Sequence, residues 1–335
     1  MRAPDFWFAP KPDWRARALQ PLGVIYGAVT SWKMRQSGAR AGVPVVCVGN
    51  FVAGGAGKTP VALAVAALLA EMGERPVFLS RGYGGRAGKD AAVRVSPDHD
   101  AAFVGDEPLL LARAAPTIVC ADRRIGAAAA RQAGASVIVM DDGLQNRSLH
   151  QDLRFAVVDG ASGVGNGLCV PAGPLRAPLA AQIPQISAIV VVGAGAAGAR
   201  VADAAAHAGK PVLRARLEPA LSAAQALAGR DVVAFAGIGR PEKFFATLAG
   251  IGARVVSAQA FGDHHPFTRE EIAGLQAEAA ARGAQLATTE KDLARLGSQL
   301  TNPLAPQPMA LPVTLAFDAP AAVKDLLRAM LTPDA

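Results

Sequence analysis

The chain has 335 residues, 51% hydrophobic and 18% charged, with a formal net charge of +7. That length suits two domains with packed cores, and the composition excludes a chain disordered throughout. Cys47, Cys120 and Cys169 lie too far apart for a disulfide framework or a metal knuckle, and no apolar run is long enough to span a membrane.

The elements begin with an unusual N-terminal segment. Residues 1–40 carry seven basic side chains (Arg2, Lys11, Arg15, Arg17, Lys33, Arg35 and Arg40) against Asp5 and Asp13, so most of the positive charge is here. A nucleic-acid binder would spread such charge over a folded domain, and nucleic acid is not expected as a partner. Trp7, Trp14 and Trp32, all the tryptophans of the chain, share this segment with Phe6, Phe8 and Tyr26. Trp and Tyr favour the membrane–water interface, and basic residues favour anionic headgroups. Pro4, Pro10, Pro12 and Pro21 interrupt the segment and no long apolar stretch follows the basic residues, which excludes a secretory signal. Trp14 to Arg35 is predicted to form an amphipathic helix lying on a membrane surface.

Residues 44–49 read as a buried strand. Residues 60–72 read as an Ala/Leu helix with Pro60 in its first turn and Gly73 at its end. Strands are predicted at 77–79, 117–120, 136–140 and 155–158, with a helix at 124–132. The proline-rich stretch 171–184 reads as a linker. A second alternation follows, with strands at 188–192, 212–217, 232–236, 254–258 and 285–288 and helices at 196–208, 243–248 and 269–282. Residues 301–312 are again proline-rich, and 319–331 form a last helix. Strands alternating with helices predict parallel sheets covered on both faces. The division expected is an N-terminal segment 1–40, a first α/β domain 41–183 and a second α/β domain 184–335.

Gly54-Gly55-Ala56-Gly57-Lys58-Thr59 follows a strand and opens a helix, the context of a phosphate loop. The backbone of Gly54, Gly55, Ala56 and Gly57 would cradle phosphates at a helix N-terminus, Lys58 would reach the β/γ-phosphates, and Thr59 would hold Mg²⁺. The strict pattern has glycine where this chain has Val52, so the match is to a variant loop. The strand 136–140 ends in Asp141-Asp142, candidate carboxylates for the metal.

With these residues and several further motifs in order, the chain resembles the lipid A 4′-kinase (tetraacyldisaccharide 4′-kinase) family. The motifs are Val48-Gly49-Asn50, Ser80-Arg81-Gly82-Tyr83-Gly84-Gly85, Gly105-Asp106-Glu107-Pro108, Asp141-Asp142-Gly143-Leu144-Gln145, Gly165-Asn166-Gly167, Pro171-Ala172-Gly173-Pro174-Leu175-Arg176, Phe235-Ala236-Gly237-Ile238-Gly239, Phe261-Gly262-Asp263-His264-His265 and Thr288-Thr289-Glu290-Lys291-Asp292. The resemblance implies a P-loop NTPase-type α/β/α sandwich domain plus a second, smaller α/β/α domain, with the active site between them. It implies an ATP- and Mg²⁺-dependent kinase acting on a lipid disaccharide, peripheral to the cytoplasmic face of the bacterial inner membrane, with no obligate protein partner evident. By resemblance Asp106 is the candidate base, paired with His264. Arg81, Tyr83, Arg123 and Gln145 are candidates for the substrate, and Glu290 and Lys291 carry no assigned role. Ala56 stands where the family usually has threonine, and Asn146 where it often has histidine.

Two other readings compete. Gly193-Ala194-Gly195-Ala196-Ala197-Gly198, with Glu218 twenty residues on, matches a dinucleotide fingerprint, though Ala/Gly richness makes that spacing common here. The phosphate loop and basic segment also suit a membrane-surface ATPase that does not act on a sugar.

Overall fold

The computed structural model describes residues 3–9, 11–55, 57–296 and 305–332. A 3₁₀ turn, Asp5–Trp7, precedes α1 (Trp14–Met34), capped by Asp13, whose carboxylate accepts from the Ala16 N–H. β1 (Val45–Asn50) leads into α2 (Lys58–Glu71), then β2 (Pro76–Ser80), β3 (Val93–Arg94), α3 (Ala101–Val104), α4 (Asp106–Ala112), β4 (Thr117–Val119), α5 (Arg123–Gln132), β5 (Val137–Asp141) and β6 (Leu153–Asp159). Next come α6 (Leu179–Gln182), β7 (Ala188–Val192), α7 (Ala196–His207), β8 (Val212–Pro219), α8 (Leu221–Leu227), β9 (Asp231–Ala236), α9 (Pro241–Gly250), β10 (Arg254–Ala260), α10 (Arg269–Arg282), β11 (Gln285–Thr288) and α11 (Glu290–Leu296). β12 (Met309–Ala310), β13 (Val313–Phe317) and α12 (Pro320–Leu331) complete the order.

The strands form a nine-stranded sheet, β13-β8-β7-β6-β1-β5-β2-β4-β3, and a four-stranded sheet, β10-β9-β11-β12. Pairing is parallel except at the large sheet's edges, where β13 and β3 run antiparallel to their neighbours. The central strands are apolar throughout because both faces are covered. Along β1, Val45 and Cys47 enter one core with α5 and α7, while Val46 and Val48 enter another with α2 and α12. The small sheet repeats this sandwich, with α8 and α9 on one face and α10 and α11 on the other. The fold class is therefore the expected one, two α/β/α units.

Three features differ from expectation. β7, α7 and β8 belong to the large unit, not to the second, and β13 with α12 returns to it. The small unit is an excursion between β8 and β13. The structure places α8 between β8 and β9, where the sequence reading has two successive strands, and nothing in that pattern marks a change of sheet. The stretch 171–184 is no linker, because Ala172, Leu175, Ala177 and Ile183 are buried and Arg176 N–H donates to the Phe51 carbonyl at 2.9 Å. Finally, α1 does not bury its apolar face. Ala16, Gly23, Gly27 and Ser31, with Met34 at the end, face the protein, whereas Trp14, Leu22, Val24, Ile25, Tyr26, Val29 and Trp32 are exposed. Among the described residues no helix is long and apolar enough to cross a membrane. Residues 301–304 of the second proline-rich stretch lie outside those described.

Candidate active site

β1, β5 and β6 lie side by side at the centre of the large sheet and end together, with Val48 beside Asp141 and Asn50 beside Val157. Chain order reverses about β1, the point where open parallel sheets form a crevice at their strand C-termini. The loop leaving β1 is braced from outside. Val52 bridges to Leu175, the Ala53 N–H donates to the Pro174 carbonyl at 2.7 Å, and Asn50 Nδ2 donates to the Gly54 carbonyl at 3.0 Å. Val52, where the strict pattern has glycine, is buried in this pairing segment. Gly57, at φ +84°, caps α2 in a left-handed conformation that an L side chain rarely adopts. A Cβ at Gly54 or Gly55 would meet nothing within 4 Å, so that side of the loop is open. Ala56 lies outside the described residues.

Lys58 and Thr59 are buried in the first turn of α2. Lys58 Nζ donates to the Gly54 carbonyl at 3.3 Å and lies 3.7 Å from Asp142 Oδ2. The two aspartates after β5 diverge. Asp142 turns left-handed at φ +52° and meets Arg176 through two bonds of 2.7 and 2.9 Å. Burial opposes its charge, but Lys58 and Arg176 hold its carboxyl well below the usual range. Asp141 stays in the strand with Oδ1 buried and unpartnered. Burial, and then the nearby Glu107 carboxylate, push it up to about 7.

The facing wall comes from both units. α4 begins at Gly105 and carries Asp106 and Glu107 in its first turn. His264 Nδ1, on the loop after β10, is 3.3 Å from Asp106 Oδ2, and Arg295 of α11 bonds the same oxygen at 3.0 and 2.5 Å. Lys291, one helical turn before Arg295, bonds Glu107 at 2.7 Å. Burial alone would raise Asp106, but His264, Arg295 and Lys291 hold it well below its ordinary value. His264 is raised, chiefly by its bond to Asp106. It occupies a left-handed conformation at φ +56°, with the Tyr83 ring edge-on at 5.5 Å. A second bridge crosses at β6, where Asp159 bonds Arg240 at 2.8 Å and also Lys243, and Arg240 reaches the Gly55 carbonyl at 3.3 Å.

Lys58, Thr59, Asp141, Asp142, Asp106 and His264 thus gather at one crevice, and Tyr83, 70% exposed, stands at its rim beside His264. Arg81 is exposed at the start of the same glycine-rich loop. Arg123 and Gln145 differ from expectation. Arg123 is 2% exposed and donates to the Cys120 and Asp141 carbonyls, a prop behind β5. The Gln145 amide group donates to the Asn50 carbonyl and to Gln182, while its Oε1 accepts from Arg176, so it braces the loop. A motif does not reveal which way its side chain turns. Glu107, Arg295, Asp159, Arg240 and Lys243 carry no sequence signal of their pairing, because their partners across the crevice are distant in the chain, and Asp292 enters only as the residue that holds Arg295.

The competing glycine motif has a packing explanation. A Cβ at Gly195 or Gly198 would strike the Gly160 backbone at 2.3 or 2.5 Å, and the Gly198 N–H donates to the Gly160 carbonyl at 2.8 Å. Glu218 is bonded to Arg216 at 2.7 Å.

A phosphate loop at the centre of a parallel sheet, faced by carboxylates of its own unit that pair with basic side chains of an inserted one, defines a phosphate-loop kinase. Comparison with known proteins narrows the class. A tetraacyldisaccharide-1-P 4′-kinase family model matches residues 15–332, and the chain belongs to that family. Tetraacyldisaccharide 4′-kinase of Methylobacterium sp. (strain 4-46) is 56% identical over 99% of this chain and 97% of its own length. That of Bradyrhizobium sp. (strain BTAi1 / ATCC BAA-1182) is 53% identical over 98% and 94%. Among solved structures, LpxK from Aquifex aeolicus in complex with ATP is similar, with a TM-score of 0.72 and 25% identity, covering 95% of this chain and 99% of that one.

Proposed function

We propose that the chain transfers the γ-phosphate of ATP to the 4′-hydroxyl of tetraacyldisaccharide 1-phosphate, giving lipid IVA in lipid A biosynthesis. The observation that carries this reading is that Lys58, beside Asp142, also acts on the charge of Glu107, whose neighbour Asp106 is paired with His264, within a chain of this family. Phosphoryl transfer is mainly positioning and charge neutralisation, and its loose transition state asks for little basicity until late. A carboxylate held anionic by His264 and Arg295, as Asp106 is, suits a late proton acceptor. Lys58 would neutralise the transferring phosphate. Arg81 and Tyr83 lie where they could meet the sugar or its 1-phosphate. Because His264 comes from the small unit, the acid–base pair is complete only with the two units together, which restrains ATP hydrolysis without acceptor.

Magnesium fits the residues present. The buried, unpartnered Oδ1 of Asp141, on a carboxyl whose charge burial and Glu107 oppose, is a position that a cation would complete, and Thr59 lies beside the loop lysine. Thr59 and Asp141 would hold the ion, with Asp142 orienting Lys58, and the ion would supply charge neutralisation to the phosphates.

The exposed apolar side chains of α1, with Arg15, Arg17, Lys33 and Arg35 around them, support a peripheral position at the cytoplasmic face of the bacterial inner membrane. The acyl substrate would reach the crevice from that surface.

The test is transfer of labelled γ-phosphate from Mg-ATP to tetraacyldisaccharide 1-phosphate in detergent micelles, with Lys58→Ala alongside. A labelled lipid that falls at least ~100-fold in the variant is expected. Steady release of free phosphate with no lipid product would replace this reading with a membrane-surface ATPase.

A further inference from the structure

Arg295 belongs to none of the sequence motifs and would touch no reacting atom, yet every arm of its guanidinium is engaged. Nε and Nη2 bond Asp106 Oδ2, while Nη1 bonds the Gly237 carbonyl at 2.8 Å and Asp292 Oδ1 at 2.6 Å. The Arg295 side chain is 8% exposed and that of Asp292 is 0% exposed. Asp292 is itself fixed by the Gly237 N–H at 3.1 Å and the Thr289 hydroxyl at 2.6 Å. Gly237 follows β9, and Thr289 joins β11 to α11. The frame behind Arg295 is therefore the small sheet itself. Residues four apart share one helix face, so α11 offers Lys291 and Arg295 together to the adjacent Glu107 and Asp106.

We propose that Arg295 is the positioning residue for Asp106, carrying the rigidity of the small sheet across the crevice so that Oδ2 is committed to that unit and Oδ1 meets the acceptor hydroxyl. This rests on the kinase reading and deepens it. Arg295 and His264 both bond Oδ2, leaving Oδ1 outside that set of contacts. Arginine suits the task because Nε and Nη2 of one rigid plane converge on Oδ2 while Nη1 is held by the small sheet, which an ammonium cannot reproduce. Angular error at a reacting oxygen is costly, since a misplacement of about 1 Å can lower the rate about 100-fold.

The test compares the full chain with Arg295→Lys and Arg295→Ala, using Mg-ATP, tetraacyldisaccharide 1-phosphate and NMR titration of the His264 ring. His264 is faced by Asp106, Arg295, Tyr83 and Asp263, and Asp106 by His264, Arg295, Lys291 and Glu107. The kcat is expected to fall about 100-fold in the alanine variant and about 10-fold in the lysine variant, with KM for ATP within about 2-fold. The His264 midpoint should rise in the alanine variant, because a repelling cation is gone and its carboxylate is shared with one partner fewer. A purely structural Arg295 would lower the melting temperature yet leave kcat per folded molecule and the His264 midpoint unchanged, and that result overturns the proposal. Where Arg295→Ala does not fold, a near-wild-type kcat in Arg295→Lys overturns it. If the wild-type chain yields no lipid product the kinase reading fails, while the His264 shift still decides whether Arg295 sets the pair.

Discussion

Asp106 and His264 shift in opposite senses, and each shift limits a pH range. Asp106 is depressed, so its contribution to stability is full above its ordinary value of 3.8 and is lost as pH falls through its lowered value. His264 is raised, so its contribution is full below its ordinary 6.5 and is lost as pH rises through its raised value. Their mutual stabilisation is therefore greatest between those two values. Asp106→Asn should be less stable than wild type in that window. The difference should narrow at alkaline pH, where Arg295 alone still needs the carboxylate, and close toward strong acid. Melting temperatures of both proteins from pH 3 to 9 check this, and a difference that does not change with pH would refute it. Activity should fall about 100-fold or more, because the amide accepts no proton. At this scale the sequence was informative wherever chemistry sits in a contiguous motif, as for Lys58, Thr59, Asp141, Asp142 and Asp106. Arg295 escaped because Asp106, its partner, is 189 residues away. The division of labour between Asp141 and Asp142 also depends on a backbone turn at Asp142 that composition does not encode.

Among the elements, α1 shows what periodicity can and cannot tell. Its extent was legible, predicted as Trp14 to Arg35 and found as Trp14–Met34. Its orientation was not, because apart from Met34 the buried face is made of small residues. A Cβ at Gly23 would lie 2.7 Å from the Cys169 carbonyl oxygen, and one at Gly27 would lie 2.9 Å from Cys169 Sγ. The Trp7 indole N–H donating to the Pro171 carbonyl at 2.9 Å ties the preceding turn to the same segment. Gly27→Leu should therefore unseat the helix and lower stability by about 1–3 kcal/mol, read from the denaturant midpoint. The double variant Ile25→Ser with Val29→Ser, both on the exposed side, should stay within about 0.5 kcal/mol of wild type. It should nonetheless sediment less with anionic phospholipid vesicles. Equal sedimentation of wild type and variant would argue against membrane contact through this face. The segment 171–184 carries the same lesson. Its prolines and glycine read as a spacer, yet their compactness is what lets the chain lie between α1 and the phosphate loop.

For the whole molecule, the question is what holds the two units in register. Besides the α4–α11 contacts, Asp159 at the end of β6 meets Arg240 and Lys243 of the small unit. Burial alone would raise Asp159, but those cations hold it down to about 2. Its stabilisation is thus full above the ordinary 3.8 and lost only as pH falls toward 2. Asp159→Asn should cost about 1–2 kcal/mol near neutrality, discounted because Lys243 is half exposed, and the gap should shrink from pH 6 to pH 3. Guanidinium titrations at both pH values measure it, and an unchanged gap would mean that this bridge does not join the units. The division itself was illegible in the sequence, since β8 and β9 read there as two successive strands with nothing to show that they enter different sheets. The return of β13 and α12 to the large sheet also sets an order of assembly during translation. Val323 and Leu327 complete the core that already holds Val61, Val65 and Phe155, and β13 pairs with β8 along its open edge. A nascent chain must therefore carry that edge and core unfinished while the whole inserted unit is being synthesised. The large sheet is therefore finished by β13, a strand synthesised only after the whole inserted unit.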